Sequence, residues 1–224
     1  MKNCGNPELI VMLTYNDCTM KNAFDVFEQC KNSDAEFYGL KDVGLSLAKM
    51  KDLFSYMNGC GKTTVLEAAA YTEKDGMESA ETAAECGCNI LMGTKFYDSI
   101  NQFCKEKNIK YMPFVGKVTN RPFVLEGAVE EMIGEANRCL EKGVYGFDLL
   151  GYRYTGDAAA LIEKFISQVD APVCVAGSIN SYERLDEVKN AGARAFTIGG
   201  AFFENKFDGT YNEQINKVCD YIAL

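Results

Sequence analysis

The chain has 224 residues, 23 basic and 32 acidic, for a net charge of −9, with ten cysteines and no histidine or tryptophan. That length suits one domain, and a 47% hydrophobic content can bury a full core, which excludes a disordered chain. The acidic balance excludes a nucleic-acid partner, and the missing imidazole excludes histidine bases, relays and zinc ligands.

The cysteines fall at 4, 18, 30, 60, 86, 88, 104, 139, 174 and 219, mostly in apolar stretches and never as C-x-x-C. They read as free thiols of a reducing compartment, so a cytoplasmic protein is expected. The apolar stretch 9–15 is too short for a secretory signal. No run reaches the ~18 apolar residues of a membrane span, so no membrane partner is expected.

In chain order, a first apolar run at 9–14 leads into Asn16 and Asp17, then a helical pattern over 20–30. A second run at 36–40 ends at Lys41 and precedes a helix over 47–57. Gly59-Cys60-Gly61-Lys62-Thr63 imitates a nucleotide-binding P-loop. However, Tyr56 occupies its first glycine position and the segment runs from helix to strand, so it is a plain turn. Runs follow at 63–68, 89–92, 110–115 and 146–150. Thr72 caps a helix over 73–86, and Gly87 and Gly143 stand just after helices, where left-handed residues are expected. Lys117 follows strand five, and Tyr152, Arg153 and Tyr154 follow strand six; each tyrosine either covers a substrate or packs under its loop. Asp157 caps 158–169, strand seven at 172–176 ends in Gly177-Ser178, and Ser181 caps 182–191 before Gly192. Strand eight at 195–198 ends in Gly199-Gly200 and a short helix.

Eight strands alternating with about eight helices, without a linker, predict one (β/α)8 TIM barrel over 1–224; an open doubly wound sheet is the alternative. Barrel active sites form where the strands end. Gly177, Ser178, Gly199 and Gly200 then supply two tight turns whose N–H groups suit phosphate, helped by the helix N-terminus. Strand parity adds charged groups. Tyr38 and Leu40, Leu66, and Phe147 and Leu149 are the bulky helix-facing residues, which turns Lys41, Glu67 and Asp148 inward. Buried ions need partners, so these three either form a structural ion-pair network or are catalytic. In the catalytic reading Lys41 is the acid–base or Schiff-base group, its pKa lowered by burial, and Glu67 and Asp148 move protons or orient substrate. Asp17 is a fourth catalytic candidate; Asn16, Lys117 and Arg153 are substrate-binding candidates. Asp17, Glu67 and Asp148 carry oxygens suited to Mg²⁺, but Lys41 would repel it, so neither metal nor cofactor is expected.

Val175-Ala-Gly-Ser-Ile179, with Gly192-Ala193 and Phe196-Thr-Ile-Gly-Gly-Ala201, resembles the closing motif of the ribulose-phosphate-binding barrel superfamily. This implies a TIM barrel that binds a phosphorylated ligand. From Gly143 through Gly151-Tyr-Arg-Tyr-Thr155 to Ala201, the chain is most similar within that group to N-acetylmannosamine-6-phosphate epimerases. The likeness implies a lysine ending strand two, matched by Lys41, and an acid before the strand-seven glycine, where this chain has Ala176. The whole chain also resembles bacterial barrel proteins with no established activity. The expected function is a lyase or isomerase acting on a phosphorylated sugar or related phospho-metabolite. The alternative is a non-catalytic barrel that senses such a ligand and regulates a partner. Phe202, Phe203 and Phe207 either form a face for a homodimer or cover a core edge.

Overall fold

The computed structural model describes residues 5–120 and 122–224; Cys4 lies outside them. Eight parallel strands form the barrel: β1 (Glu8–Met12), β2 (Phe37–Lys41), β3 (Thr63–Ala70), β4 (Ile90–Thr94), β5 (Lys110–Met112), β6 (Phe147–Leu149), β7 (Val173–Val175) and β8 (Ala195–Ile198). They hydrogen-bond in the order β6-β7-β8-β1-β2-β3-β4-β5. Between β5 and β6 the ring is completed by a single bridge, Phe114 to Asp148, with the Asp148 N–H donating to the Pro113 carbonyl at 3.1 Å. This is the single (β/α)8 TIM barrel that the alternation predicts.

The outer layer holds helices α1 (Ala23–Cys30), α2 (Leu47–Gly59), α3 (Glu73–Glu85), α4 (Asp98–Glu106), α5 (Val129–Glu141), α6 (Ala158–Gln168) and α7 (Tyr182–Ala191). A four-residue helix, α8 (Gly200–Phe203), and a last helix, α9 (Tyr211–Ala223), complete it. Thr72, Asp157 and Ser181 cap α3, α6 and α7 by accepting backbone N–H bonds, and Gly192 ends α7 in the left-handed region. Phe202 and Phe207 are buried under α9, so they cover a core edge. Among the described residues, no helix is long and apolar enough to cross a membrane.

Two apolar layers follow from strand alternation. Tyr38, Leu40, Leu66, Phe147 and Leu149 pack outward against the helices. Ile10, Met12, Val65, Ile90, Met92, Met112 and Cys174 fill the barrel. Each fully buried side chain of this kind contributes roughly 1.5–3 kcal/mol. Gly39 is required inside, because a Cβ there would lie 2.2 Å from the Met12 sulfur. Lys62 sits at the opposite end from the strand termini, donating to the Ser33 and Ala35 carbonyls, which disposes of the P-loop likeness.

Two short hairpins, not expected from the sequence, are inserted at the strand-terminal face. Thr14–Tyr15 pairs with Cys18–Thr19 directly after β1, and Lys117–Thr119 pairs with Val124–Glu126 between β5 and α5. They position much of the site.

Candidate functional site

Lys41 and Glu67 lie side by side because β2 and β3 pair them in register. Both point inward and are nearly inaccessible, at 3% and 5% exposure. The Lys41 Nζ stands 3.1 Å from Glu67 Oε1 and 3.1 Å from Asp17 Oδ1. Asp17 arrives from the first hairpin, whose two-residue turn is Asn16-Asp17 with φ of 50° and 56°. Positive φ at both central residues is the type I′ geometry, which Asn and Asp tolerate better than other side chains. The end of β2 is fixed by Thr19. Its hydroxyl donates to the Lys41 carbonyl at 2.8 Å and accepts from the Lys41 N–H at 2.7 Å. Above the ammonium lies the Phe123 ring, its centroid 4.5 Å from Nζ, contributed by the tip of the second hairpin.

Asp148 lies behind this trio, 1% exposed, and neither of its carboxyl oxygens has a hydrogen-bond partner among the described residues. Burial pushes its pKa well above the usual carboxyl range, the Glu67 charge adds to this, and Lys41 opposes it only in part. Lys41 moves against expectation. Burial pulls its ammonium down, but the Glu67 and Asp17 charges outweigh burial and leave the pKa above its ordinary value. The lowered amine pKa expected from burial alone is therefore corrected: two carboxylates hold the proton on.

These residues floor an open cavity of about 700 Å³, and Asp17, Lys41 and Glu67 line it while Asp148 does not. Gly177, Ser178, Gly199 and Gly200 form its far rim. Gly177 and Ser178 both have positive φ, at 89° and 59°, and no hydrogen bond from either N–H occurs among the described residues. Arg153 packs against this turn, so that a Cβ on Gly177 would lie 2.6 Å from Arg153 Cγ. Its guanidinium has no ion-pair partner among the described residues. Arg184 anchors the turn from outside, donating to the Ser178 carbonyl and, at 3.2 Å, to Asn180 Oδ1. Gly199 passes so close to the first hairpin that a Cβ would meet the Thr14 hydroxyl at 2.8 Å and its carbonyl at 3.0 Å. The following helix, α8, is four residues long, so its dipole adds little and the turns themselves supply the donors.

Asn16 and Arg153 thus share the cavity with the floor residues, and Lys117 does not. Lys117 pairs with Glu126 at 3.0 Å across the second hairpin, is mostly exposed, and borders a separate hollow of about 220 Å³. Tyr152 packs against α7, donating to Glu187, and Tyr154 packs beside the second hairpin, donating to the Gly127 carbonyl. Thr19 and Phe123 are the residues that sequence reasoning missed. The consecutive Asn16-Asp17 was the available signal for the first hairpin, and hence for Thr19; Phe123 had none.

Together the groups form an ammonium held protonated between two carboxylates, beside a rim with free N–H donors and a free guanidinium. Such a floor can take a proton onto a carboxylate and stabilise a developing oxyanion with the ammonium.

No protein-family model matches the sequence, and no curated protein matches it. Solved structures match in shape. Orotidine 5′-phosphate decarboxylase from Pyrococcus horikoshii aligns with a TM-score of 0.72 at 13% identity, over 96% of this chain and 98% of that one. Tryptophan synthase from M. tuberculosis aligns at 0.71 and 12% identity, over 99% and 94%. A glycerol uptake operon antiterminator regulatory protein from Listeria monocytogenes aligns at 0.60 and 14% identity, over 88% and 93%. At such identities the likeness establishes the TIM-barrel fold alone.

Proposed function

We propose that this barrel is a lyase or isomerase acting on a phosphorylated sugar or related phospho-metabolite. One observation carries the reading: Lys41 Nζ lies 3.1 Å from both Asp17 and Glu67 at the floor of a cavity whose rim is the Gly177-Ser178 turn. The phosphate sits on the Gly177 and Ser178 N–H groups and Arg153, with Gly199 and Gly200 closing the corner. A floor carboxylate takes a proton from the carbon beside the substrate carbonyl, and the Lys41 ammonium stabilises the enolate oxygen. Returning the proton to either carbon face, or to the neighbouring carbon, gives isomerisation. Lysis instead begins with the carboxylate taking the proton of a β-hydroxyl, whose oxygen becomes a carbonyl as the C–C bond breaks. Aldol cleavage through an imine requires a neutral amine, which the two carboxylates oppose. All nine described cysteines are free thiols, in keeping with a cytoplasmic protein.

The test is a panel of sugar phosphates incubated with the enzyme and followed by NMR for new products. Lys41→Met is expected to abolish turnover, and full turnover by that variant refutes the assignment. Borohydride present during turnover is expected to leave Lys41 unmodified; an adduct mapped to Lys41 establishes the imine route instead.

Ala176 favours a second reading, a barrel that senses a phosphorylated ligand and regulates a partner. It is buried on the cavity wall at the position where the resembled epimerases carry an acid. The antiterminator protein of the same fold is a regulatory protein. This reading predicts ligand stabilisation in a thermal melt without product from any member of the panel.

A further inference from the structure

The phosphate reading leaves open what the rest of the ligand carries, and the charges around the cavity narrow it. Among the described residues, two cationic side chains line the cavity, Lys41 and Arg153. Lys41 is paired with both Asp17 and Glu67, each at 3.1 Å, with the Phe123 ring centroid 4.5 Å from its Nζ and a side chain only 4% exposed. Its single charge is outnumbered by theirs. The floor therefore presents two carboxylates against one ammonium, a net negative surface, with the Asp148 carboxyl behind it. Arg153 alone is unpaired among the described cations of the cavity, and it lies against Gly177 at the phosphate corner.

From this arrangement we infer that the ligand carries one anionic group only: its phosphate is bound at the rim, and its other end is an uncharged hydroxyl or carbonyl chain without a carboxylate. The inference rests on the phosphate reading above. It separates sugar and polyol phosphates from phosphorylated acids of the same length. A carboxylate directed at the floor would lose its water and meet like charge, whereas a hydroxyl donates to Asp17 or Glu67.

The experiment is calorimetric titration of the intact protein at pH 7 with glycerol 3-phosphate, 3-phosphoglycerate and inorganic phosphate, which separates the tail from the phosphate. Glycerol 3-phosphate is expected to bind about tenfold or more tightly than 3-phosphoglycerate, the ratio given by about 1.4 kcal/mol of repulsion. Arg153→Gln is expected to weaken all three ligands together, which locates them at this corner. Equal or tighter binding of 3-phosphoglycerate overturns the inference while leaving the phosphate reading intact. Binding of inorganic phosphate alone, with both tailed ligands rejected, also overturns it. If none of the three binds, the phosphate reading itself fails and the inference falls with it.

Discussion

The substitution Asp148→Asn tests the electrostatics of the barrel interior. Asp148 is buried without a partner for either oxygen, and its pKa is raised by burial and by Glu67. In the unfolded chain the same carboxyl ionises near ~3.9. Between that pH and the raised folded value the native state binds more protons than the unfolded state, so stability is full below the unfolded pKa and falls as pH rises. The slope is about 1.4 kcal/mol per pH unit for as long as the proton is held. Asparagine has the same shape and no proton to lose, so the variant lacks this slope. The introduced amide also finds no partners, so an offset at pH 5 is expected and the change with pH carries the test. The assay is urea unfolding of both proteins at pH 5, 6 and 7. Because the chain has no histidine, no imidazole titrates across that window. Parallel pH dependence in the two proteins refutes a raised Asp148 pKa.

Two adjacent glycines should respond oppositely. Gly199→Ala places a Cβ 2.8 Å from the Thr14 hydroxyl and 3.0 Å from its carbonyl and should cost about 1–3 kcal/mol, whereas Gly200→Ala meets only the Tyr15 ring at 3.5 Å and should change stability little in the same melt. Thr19→Val removes both hydrogen bonds to the Lys41 backbone and leaves that N–H and carbonyl unpaired, for an expected loss of about 1–3 kcal/mol in urea unfolding.

The barrel and its charged floor were legible because strand alternation is a local property. Tyr38 and Leu40 had to face the helices, so Lys41 had to face inward, and the same reasoning placed Glu67 and Asp148. The pairing of Lys117 with Glu126 was not legible, because Glu126 stands opposite it only once the second hairpin folds. Phe123 was invisible for a related reason: the hairpin strands are three residues long, too short for a periodic signal, and the ring reaches Lys41 through tertiary packing alone. The Lys41 protonation state was misread because burial was weighed without its neighbours. Asp17 comes from a turn whose left-handed backbone the Asn16-Asp17 dipeptide does encode, in a signal weaker than a glycine's.

The single bridge between β5 and β6 makes the barrel, mechanically, a curled eight-stranded sheet fastened along one edge. Beside the bridge, the Tyr145 and Gly146 N–H groups donate to the Tyr111 carbonyl at 3.1 and 3.4 Å. Asp148 sits on the fastening itself, both through its bridge to Phe114 and through its N–H to Pro113. The same small local opening that frees the Asp148 amide to exchange with solvent therefore also admits the water through which its buried carboxyl can trade a proton. The most deeply buried of the described acids thus lies on the join that closes the barrel.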